Sequence, residues 1–179
     1  MSGVIIVEDY DARWPQEFEK LRARIAEVLG PLAAAIEHIG STAVPGLAAK
    51  PIIDIDVLLR PDAGLAEAVS DLSLAGYEHR GDLGIRGREA FRAPADSYPH
   101  HLYVCLADAG EYQRHIEFRD YLRSHPEDME AYASLKRTLA QEFAVDREGY
   151  TQGKSQFVER TLRRVGDGEQ SGRGVRILR

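Results

Sequence analysis

The chain of 179 residues is 44% hydrophobic and 29% charged, which is ordinary usage for a globular protein. Its length predicts one domain, long enough to bury a hydrophobic core. A formal net charge of −6 argues against a protein that binds polymeric nucleic acid, because that task needs a basic face. A small anionic ligand, held by a few cations or by a metal, is compatible with this charge.

The single cysteine, Cys105, cannot form an intrachain disulfide, and we therefore expect a reduced, cytoplasmic environment. Because Cys105 lies in an apolar run, we interpret it as a buried packing residue. The N-terminal residues lack the basic and long apolar regions of a signal peptide. No apolar run approaches the roughly 18–20 residues of a membrane span. The sequence thus predicts a cytoplasmic protein that does not contact membranes.

In chain order, the first half mixes helices and strands. Apolar residues at alternating spacings of four and three predict a helix over Trp14–Leu29, which Gly30 and Pro31 end. Two strands follow at 35–39 and 51–59, then a helix over 64–75 that Gly76 ends. Three further strand-like pieces come next, at 77–80, 89–93 and 101–106.

After residue 110 the apolar spacing becomes helical. We expect one helix over 112–123, a second beginning at Pro126, and a third over about 151–165. The remaining residues, 166–179, include four glycines and show no regular period, so we expect a flexible tail. Together these elements predict a single α+β domain over 1–165: a mixed β-sheet packed on helices, with a C-terminal helical cluster that closes one side of a cleft.

Asp54 and Asp56 are the first residues that indicate chemistry. They are two apart in a predicted strand, so both side chains point to the same face. Two like charges on one face of a buried strand repel each other unless a cation lies between them. Carboxylate oxygens suit Mg²⁺. The alternative is a pair of solvated acids on an open sheet face.

A Gly40-Ser41-Thr42 turn precedes this strand and directly follows another one. A turn of this kind exposes backbone N–H groups that bind anions. Glycine lets a ligand approach closely, and the serine hydroxyl adds a donor. Ordinary turns use the same residues, so the motif gains specificity only from the paired acids that follow it.

Gly40-Ser41 followed by Asp54-Ile55-Asp56 resembles the signature of the nucleotidyltransferase (polymerase-beta-like) superfamily. The longer run EHIGSTAVPGLAAKPIIDI is similar to the signature of the GrpB/UPF0157 family, and further similarity extends over roughly 5–165. The resemblance implies the nucleotidyltransferase fold. It also implies that Gly40 and Ser41 bind a nucleotide's phosphates and that Asp54 and Asp56 bind Mg²⁺.

The sequence departs from the superfamily pattern at the third acid, which a later strand should supply. That strand here contains His101 and Tyr103, whose side chains alternate onto one face, but no Asp or Glu. His101 and Tyr103 are therefore alternatives for lining the site. Glu37, the nearest acid within the turn motif, is another alternative for the missing group.

Four cations complete the set of candidates for phosphate binding: Lys50, Arg119, Lys136 and Lys154. Only four lysines occur in the chain, so the three in this set stand out. For each, the alternative is a surface position or an ion pair with nearby acids.

Two functions follow as hypotheses. The first is a Mg²⁺-dependent nucleotidyltransferase that moves a nucleotidyl group from an NTP to a small acceptor. The second is a non-catalytic nucleotide-binding or chaperone-like module on the same fold. GrpB-like domains also occur fused to dephospho-CoA kinase, which suggests a link to coenzyme A metabolism by analogy. The partner expected in either case is an NTP or another phosphorylated small molecule.

Overall fold

The computed structural model describes the backbone of residues 4–173 and the side chains of residues 4–167. Its elements are, in chain order, α1 (Trp14–Leu29), β1 (Ala33–Ile39), β2 (Ile53–Leu59), α2 (Leu65–Leu74), β3 (Glu78–His79), β4 (Arg88–Arg92), β5 (His100–Cys105), α3 (Gly110–Ser124), α4 (Pro126–Glu142) and α5 (Arg147–Arg173). A short 3-10 turn, Ser41–Ala43, follows β1.

The five strands form one mixed sheet in the order β1-β2-β5-β4-β3. The central strands β2 and β5 are parallel, whereas β1 and β4 pair with them in antiparallel fashion. Because β2 lies between two neighbours, its apolar residues Ile53, Ile55 and Val57 are fully buried. This central position allows β2 to carry charged residues on its other face at fixed geometry.

Helices α1 and α2 cover the apolar face of the sheet. In α1 the buried residues repeat at helical spacing, and Pro15 in the first turn needs no hydrogen bond there. The core between these layers joins Trp14 and Ile25 to Ile55, Leu72 and Leu102, among others.

Helices α3, α4 and α5 form a cluster beside the other face of the sheet. Their apolar side chains pack around the segment that follows the 3-10 turn, with Leu47 at its centre and Leu122, Tyr132 and Phe157 against it. The cluster therefore faces the polar side of β2 and fixes where the turn lies.

These observations confirm the predicted α+β fold, and each predicted strand lies within a few residues of an observed one. One prediction is wrong in its extent: α5 begins at Arg147 and continues to Arg173, beyond the expected end near 165. The rest of the predicted tail, 174–179, lies outside the described residues. Cys105 is buried in the sheet, as expected. Within the described segment, no helix is long and apolar enough to cross a membrane.

Candidate functional site

One face of the central strands carries polar residues in register. Asp54 lies opposite His101, and Asp56 lies opposite Tyr103, on the parallel pair β2 and β5. On the antiparallel side, Glu37 of β1 lies opposite Asp56. Residues opposite each other share a sheet face, so the two aspartates and all three alternatives for the third group lie on one surface.

Asp54 is half-buried and lines a cleft between the sheet and the helical cluster. The Nδ1–H of His101 donates to its Oδ1 at 2.8 Å. This hydrogen bond orients the carboxylate and leaves Nε2 of His101, which also lines the cleft, without a protein partner among the described residues.

Gly40 brings the turn directly against Asp54. Its φ of +71° lies in the left-handed region, and a Cβ at this position would lie 3.0 Å from two carbons of the Asp54 side chain. Only glycine fits both conditions. The Gly-Ser motif and the acidic strand are therefore in contact.

Asp56 has a different environment from Asp54. Its side chain is 0% exposed, and its Oδ2 accepts a hydrogen bond of 2.7 Å from Nδ1 of His115 on α3. Nε2 of His115 lies 3.2 Å from Oε1 of Glu111. Burial alone lowers the pKa of His115, but hydrogen bonds to the two carboxylates and their charges raise it to about 9. His115 is therefore an imidazolium that neutralises Asp56 at pH 7.

The second oxygen of Asp56 is unsatisfied. Within the described part of the chain, Oδ1 is buried and has no hydrogen-bond partner. Burial is also the main reason why the pKa of Asp56 is raised above its usual value. A buried carboxylate oxygen without a partner is costly, so this atom indicates a water molecule or a cation.

The cleft has a volume of about 900 Å³ and is strongly cationic. Among the described residues that line it, six are Lys or Arg and one, Asp54, is acidic. This contrasts with the chain as a whole, in which 29 acidic residues outnumber 23 basic ones. The lining of this cleft is thus more positive than the composition of the chain would suggest.

Three of the four lysines line this cleft: Lys50, Lys136 and Lys154. The Nζ atoms of Lys50 and Lys154 lie 5.1 and 4.6 Å from the centre of the Tyr150 ring. Lys136 is 2% exposed, and its Nζ donates to the carbonyl of Ala48. None of the three has a carboxylate within ion-pair distance in the region that the structure describes.

The environment of the lysines lowers their pKa values. Burial, followed by the charges of Lys154 and Arg137, lowers the pKa of Lys136 to about 7. Burial and the charge of Lys50 lower the pKa of Lys154 to about 8. A bound anion would stabilise the charged form of both side chains.

The donor set fits one magnesium ion. The Asp54 carboxylate and the unsatisfied Oδ1 of Asp56 are hard oxygen donors on one face of one strand, and Mg²⁺ usually takes its other ligands from water and substrate phosphates. No group of three or more His, Cys, Asp or Glu with metal-ligand geometry occurs over residues 4–167. The two carboxylates would supply part of the coordination of one ion, and a bound ligand and water would supply the rest.

Comparison with known proteins identifies the family. A sequence model of the GrpB protein family matches residues 4–164. The chain belongs to the GrpB family. It is 38% identical to a UPF0157 protein of Halalkalibacterium halodurans over 167 residues, which are 92% of this chain and 84% of that protein. It is 35% identical to the UPF0157 protein YqkA of Bacillus subtilis over 84% of this chain, but spans only 44% of that relative.

Solved structures agree with this family. The crystal structure of the conserved protein GrpB from Enterococcus faecalis matches with a TM-score of 0.83 and 31% identity, over 92% of this chain and 99% of that one. The GLD-2/RNP-8 complex matches at 0.58 with 12% identity, over 82% of this chain and 50% of that one. Cid1, whose structure is described as that of an RNA terminal uridylyl transferase, matches at 0.51 with 14% identity, over 75% and 43%. At these identities the last two show the nucleotidyltransferase-type fold alone.

One further relative bears on the coenzyme A hypothesis. A dephospho-CoA kinase of Mycolicibacterium paratuberculosis is 25% identical over 88% of this chain, which spans 45% of that protein.

The structure brings most of the predicted phosphate-binding residues of this GrpB-family chain to the cleft. Ser41, Thr42 and the three lysines line it. The Thr42 hydroxyl is already engaged, because it lies 2.9 Å from Nε2 of buried His38. The main side-chain donors left for a ligand are thus the three lysines and Arg147, since the Ser41 side chain hydrogen-bonds Tyr132.

Arg119 does not lie at the cleft, which corrects its predicted role. Its guanidinium bonds Glu37 at 2.7 Å, Asp120 at 2.8 Å and the carbonyl of His38 at 3.0 Å. Arg119 therefore fixes the end of β1, and its guanidinium is already paired with two acids. The same ion pair engages Glu37, which is thus a poor substitute for the missing third acid.

Tyr103 lines the cleft, as predicted, but its neighbours were not foreseen. The Arg88 guanidinium lies 4.5 Å from the centre of its ring, and burial raises the pKa of its hydroxyl to about 12. Tyr103 is therefore a neutral hydrogen-bonding group and not a base.

His115 and Arg147 were also missed by the sequence analysis. Arg147 lines the cleft from the start of α5, while His115 approaches Asp56 from α3. Glu111 and His115 are four residues apart and therefore share one face of α3. This spacing is the only local signal in the sequence for the role of His115. Nothing local indicates which strand that face covers.

Proposed function

We propose that the cleft binds the phosphate chain of a nucleotide, or of another phosphorylated small molecule, together with one Mg²⁺ ion. The observation that supports this most strongly is the convergence of Lys50, Lys136 and Lys154 on one cleft without carboxylate partners among the described residues. Lysine ammonium groups are strong point-charge donors to phosphate.

Each part of the site has a role in this proposal. The Gly40-Ser41 turn offers backbone N–H groups to phosphate oxygens, and the three lysines neutralise the remaining charge. Asp54 and Oδ1 of Asp56 would hold the metal ion, and water and phosphate oxygens would supply its other ligands. The hydrogen bond from Nδ1 of His115 holds Oδ2 of Asp56 in place.

Nucleotidyl transfer from an NTP to a small acceptor is the catalytic form of the proposal. The unsatisfied Oδ1 of Asp56, on the same strand face as Asp54, favours it, because in-line phosphoryl chemistry uses a metal ion held by carboxylates. The absence of an acid on β5 weighs against a two-metal mechanism. The non-catalytic alternative is a nucleotide-binding or chaperone-like module that uses the same contacts. A role in coenzyme A metabolism has only the dephospho-CoA kinase relative in its favour.

Calorimetric titration with ATP, inorganic triphosphate and Mg²⁺ tests the binding proposal. We expect wild-type protein to bind both ligands, and Mg²⁺ to strengthen the binding. Asp54→Asn should lose the Mg²⁺ effect but keep metal-free triphosphate binding, since the lysines are intact. The exposed Asp62→Asn is the matched control and should behave like wild type. If neither ligand binds with metal present, the proposal is wrong.

The two forms of the proposal differ in product. A transferase releases pyrophosphate when an acceptor is present, whereas a binding module does not. A pyrophosphate-release assay with a panel of hydroxyl, phosphate and amine acceptors separates them. Signal that persists in Asp54→Asn would be contamination, so that variant is the blank.

A further inference from the structure

The cleft continues beyond Asp54 and His101, away from the lysines. This second part is bordered by Arg80 and Arg92, with Leu83 at its rim and the segment after β4 along its side. We propose that the arginine pair, Arg80 and Arg92, binds a second oxyanion. The acceptor, or the part of the ligand that lies farthest from the lysines, then carries its own phosphate or carboxylate. This inference rests on the proposed function, because it assumes that a phosphate chain occupies the lysine end.

The sheet register fixes where this second site lies. Arg92 of β4 is opposite His101 of β5, which in turn is opposite Asp54 of β2. All three share one face, and two strand spacings separate Arg92 from Asp54 by about 10 Å between backbones. A group bound at Arg92 is therefore near the metal-binding aspartate but distinct from the lysine cluster.

The two arginines are held together by one acid outside the cleft. Nη1 of Arg80 donates to Oε1 of Glu78 at 3.0 Å, and Nη1 of Arg92 lies 3.6 Å from Oε2 of the same residue. Two guanidinium groups on one carboxylate leave a net positive charge and most of their donors available. The Arg80 and Arg92 side chains are 50% and 72% exposed, so these donors reach solvent.

The lining of this part indicates the size and sign of what it accepts. Ala90, Ala93 and Ala95 line it with small side chains, which leave room for a sugar or a short carbon chain between the two anionic groups. The described lining residues at this end include no acid. A cationic acceptor would be repelled here, whereas an anionic one would bind through paired N–H donors of arginine.

The test uses protein saturated with inorganic triphosphate and Mg²⁺, titrated with methyl phosphate and followed by ³¹P NMR. We expect one methyl phosphate to bind weakly. Arg92→Gln should weaken that binding about fivefold, the size expected for one exposed charge-assisted contact. Glu78→Gln should strengthen it, because the competing carboxylate is gone. Arg22→Gln, an exposed arginine on α1, is the matched control.

The outcomes are distinguishable. Opposite effects of Arg92→Gln and Glu78→Gln support the inference, since a merely structural role would not give opposite signs at equal melting temperature. A parallel titration with acetate shows whether carboxylates bind as well as phosphates. Methyl phosphate binding that is absent, or equal in all variants, overturns the inference while triphosphate binding stands. Failure of both ATP and triphosphate to bind overturns the proposed function and this inference with it.

Discussion

Lys136 allows a direct test of whether the cleft contains a desolvated cation that a bound anion would stabilise. The side chain is 2% exposed, and burial together with the charges of Lys154 and Arg137 lowers its pKa to about 7, from 10.5. Between these two pH values the unfolded chain carries a proton at this position that the folded protein lacks. The contribution of Lys136 to stability therefore rises with pH from about 7 upward, and below pH 7 the buried charge destabilises the fold in full.

Replacing Lys136 by Met removes the charge and keeps the length of the side chain. One pKa unit corresponds to about 1.4 kcal/mol, so wild type should gain about 2 kcal/mol relative to Lys136→Met between pH 7 and pH 9. The lost hydrogen bond to Ala48 costs the variant about 1 kcal/mol at every pH. We therefore expect Lys136→Met to be the more stable protein at pH 6, with an advantage that shrinks as pH rises.

Urea denaturation at pH 6, 7, 8 and 9 measures this difference. Lys20→Met is the matched control, because Lys20 is the only lysine outside the cleft and is exposed on α1; its difference from wild type should not change with pH. Inorganic triphosphate should stabilise wild type more than Lys136→Met. If the stabilities of wild type and Lys136→Met stay parallel from pH 6 to 9, Lys136 is not a desolvated cation and the reasoning fails.

Three further experiments test the residues that position the site: the Gly40 turn, the His115–Asp56 ion pair and the buried Cys105 in the sheet. Gly40→Ala places a side chain at a left-handed φ, which costs about 1–2 kcal/mol, and brings it against Asp54. The melting temperature and triphosphate binding should both fall. Unchanged triphosphate binding would mean that the turn is not part of the site. His115→Ala leaves Asp56 as a buried, unpaired charge and should lower the free energy of unfolding by about 3–5 kcal/mol. The double variant with Asp56→Asn should recover most of this stability. No recovery would mean that loss of the ion pair is not the cause. Burial raises the pKa of the Cys105 thiol to about 12. Thiol reagents should therefore react with Cys105 only at the rate of unfolding. Fast reaction of the native protein would contradict the buried position of Cys105 in the sheet.

Elements with a strong local pattern were predictable from the sequence. The helix Trp14–Leu29 was placed correctly at both ends because its apolar stripe, its early proline and the Gly30 stop all agree. The acidic strand and the turn before it were found for a similar reason, since two charges inside an apolar run are unusual and make the Gly-Ser turn that precedes them more specific. The structure adds that the turn and the strand are in direct contact, through Gly40 and the side chain of Asp54.

Roles that depend on a partner far along the chain were not predictable. Arg119 was one of the four cations considered for phosphate binding, with an ion pair to nearby acids as the alternative. The anions that it meets are Asp120 beside it and Glu37, which is 82 positions away and is brought near by packing of α3 on β1. Arg123 likewise donates to the carbonyl of Ala43. Nothing in the local spacing distinguishes an arginine that holds a turn from one that holds a ligand.

The unequal environments of Asp54 and Asp56 determine how a metal ion would enter. Because His115 neutralises Asp56, the negative charge available in the cleft comes mainly from Asp54, and six basic side chains surround it. A free divalent cation is therefore opposed by the field of the site, whereas a phosphate chain that carries Mg²⁺ brings the missing negative charge with it. We expect Mg²⁺ alone to bind too weakly for calorimetry at micromolar protein, and to bind tightly once triphosphate is present. Strong binding of Mg²⁺ to the ligand-free protein would mean that the aspartates form a resident metal site, with Asp56 released from His115.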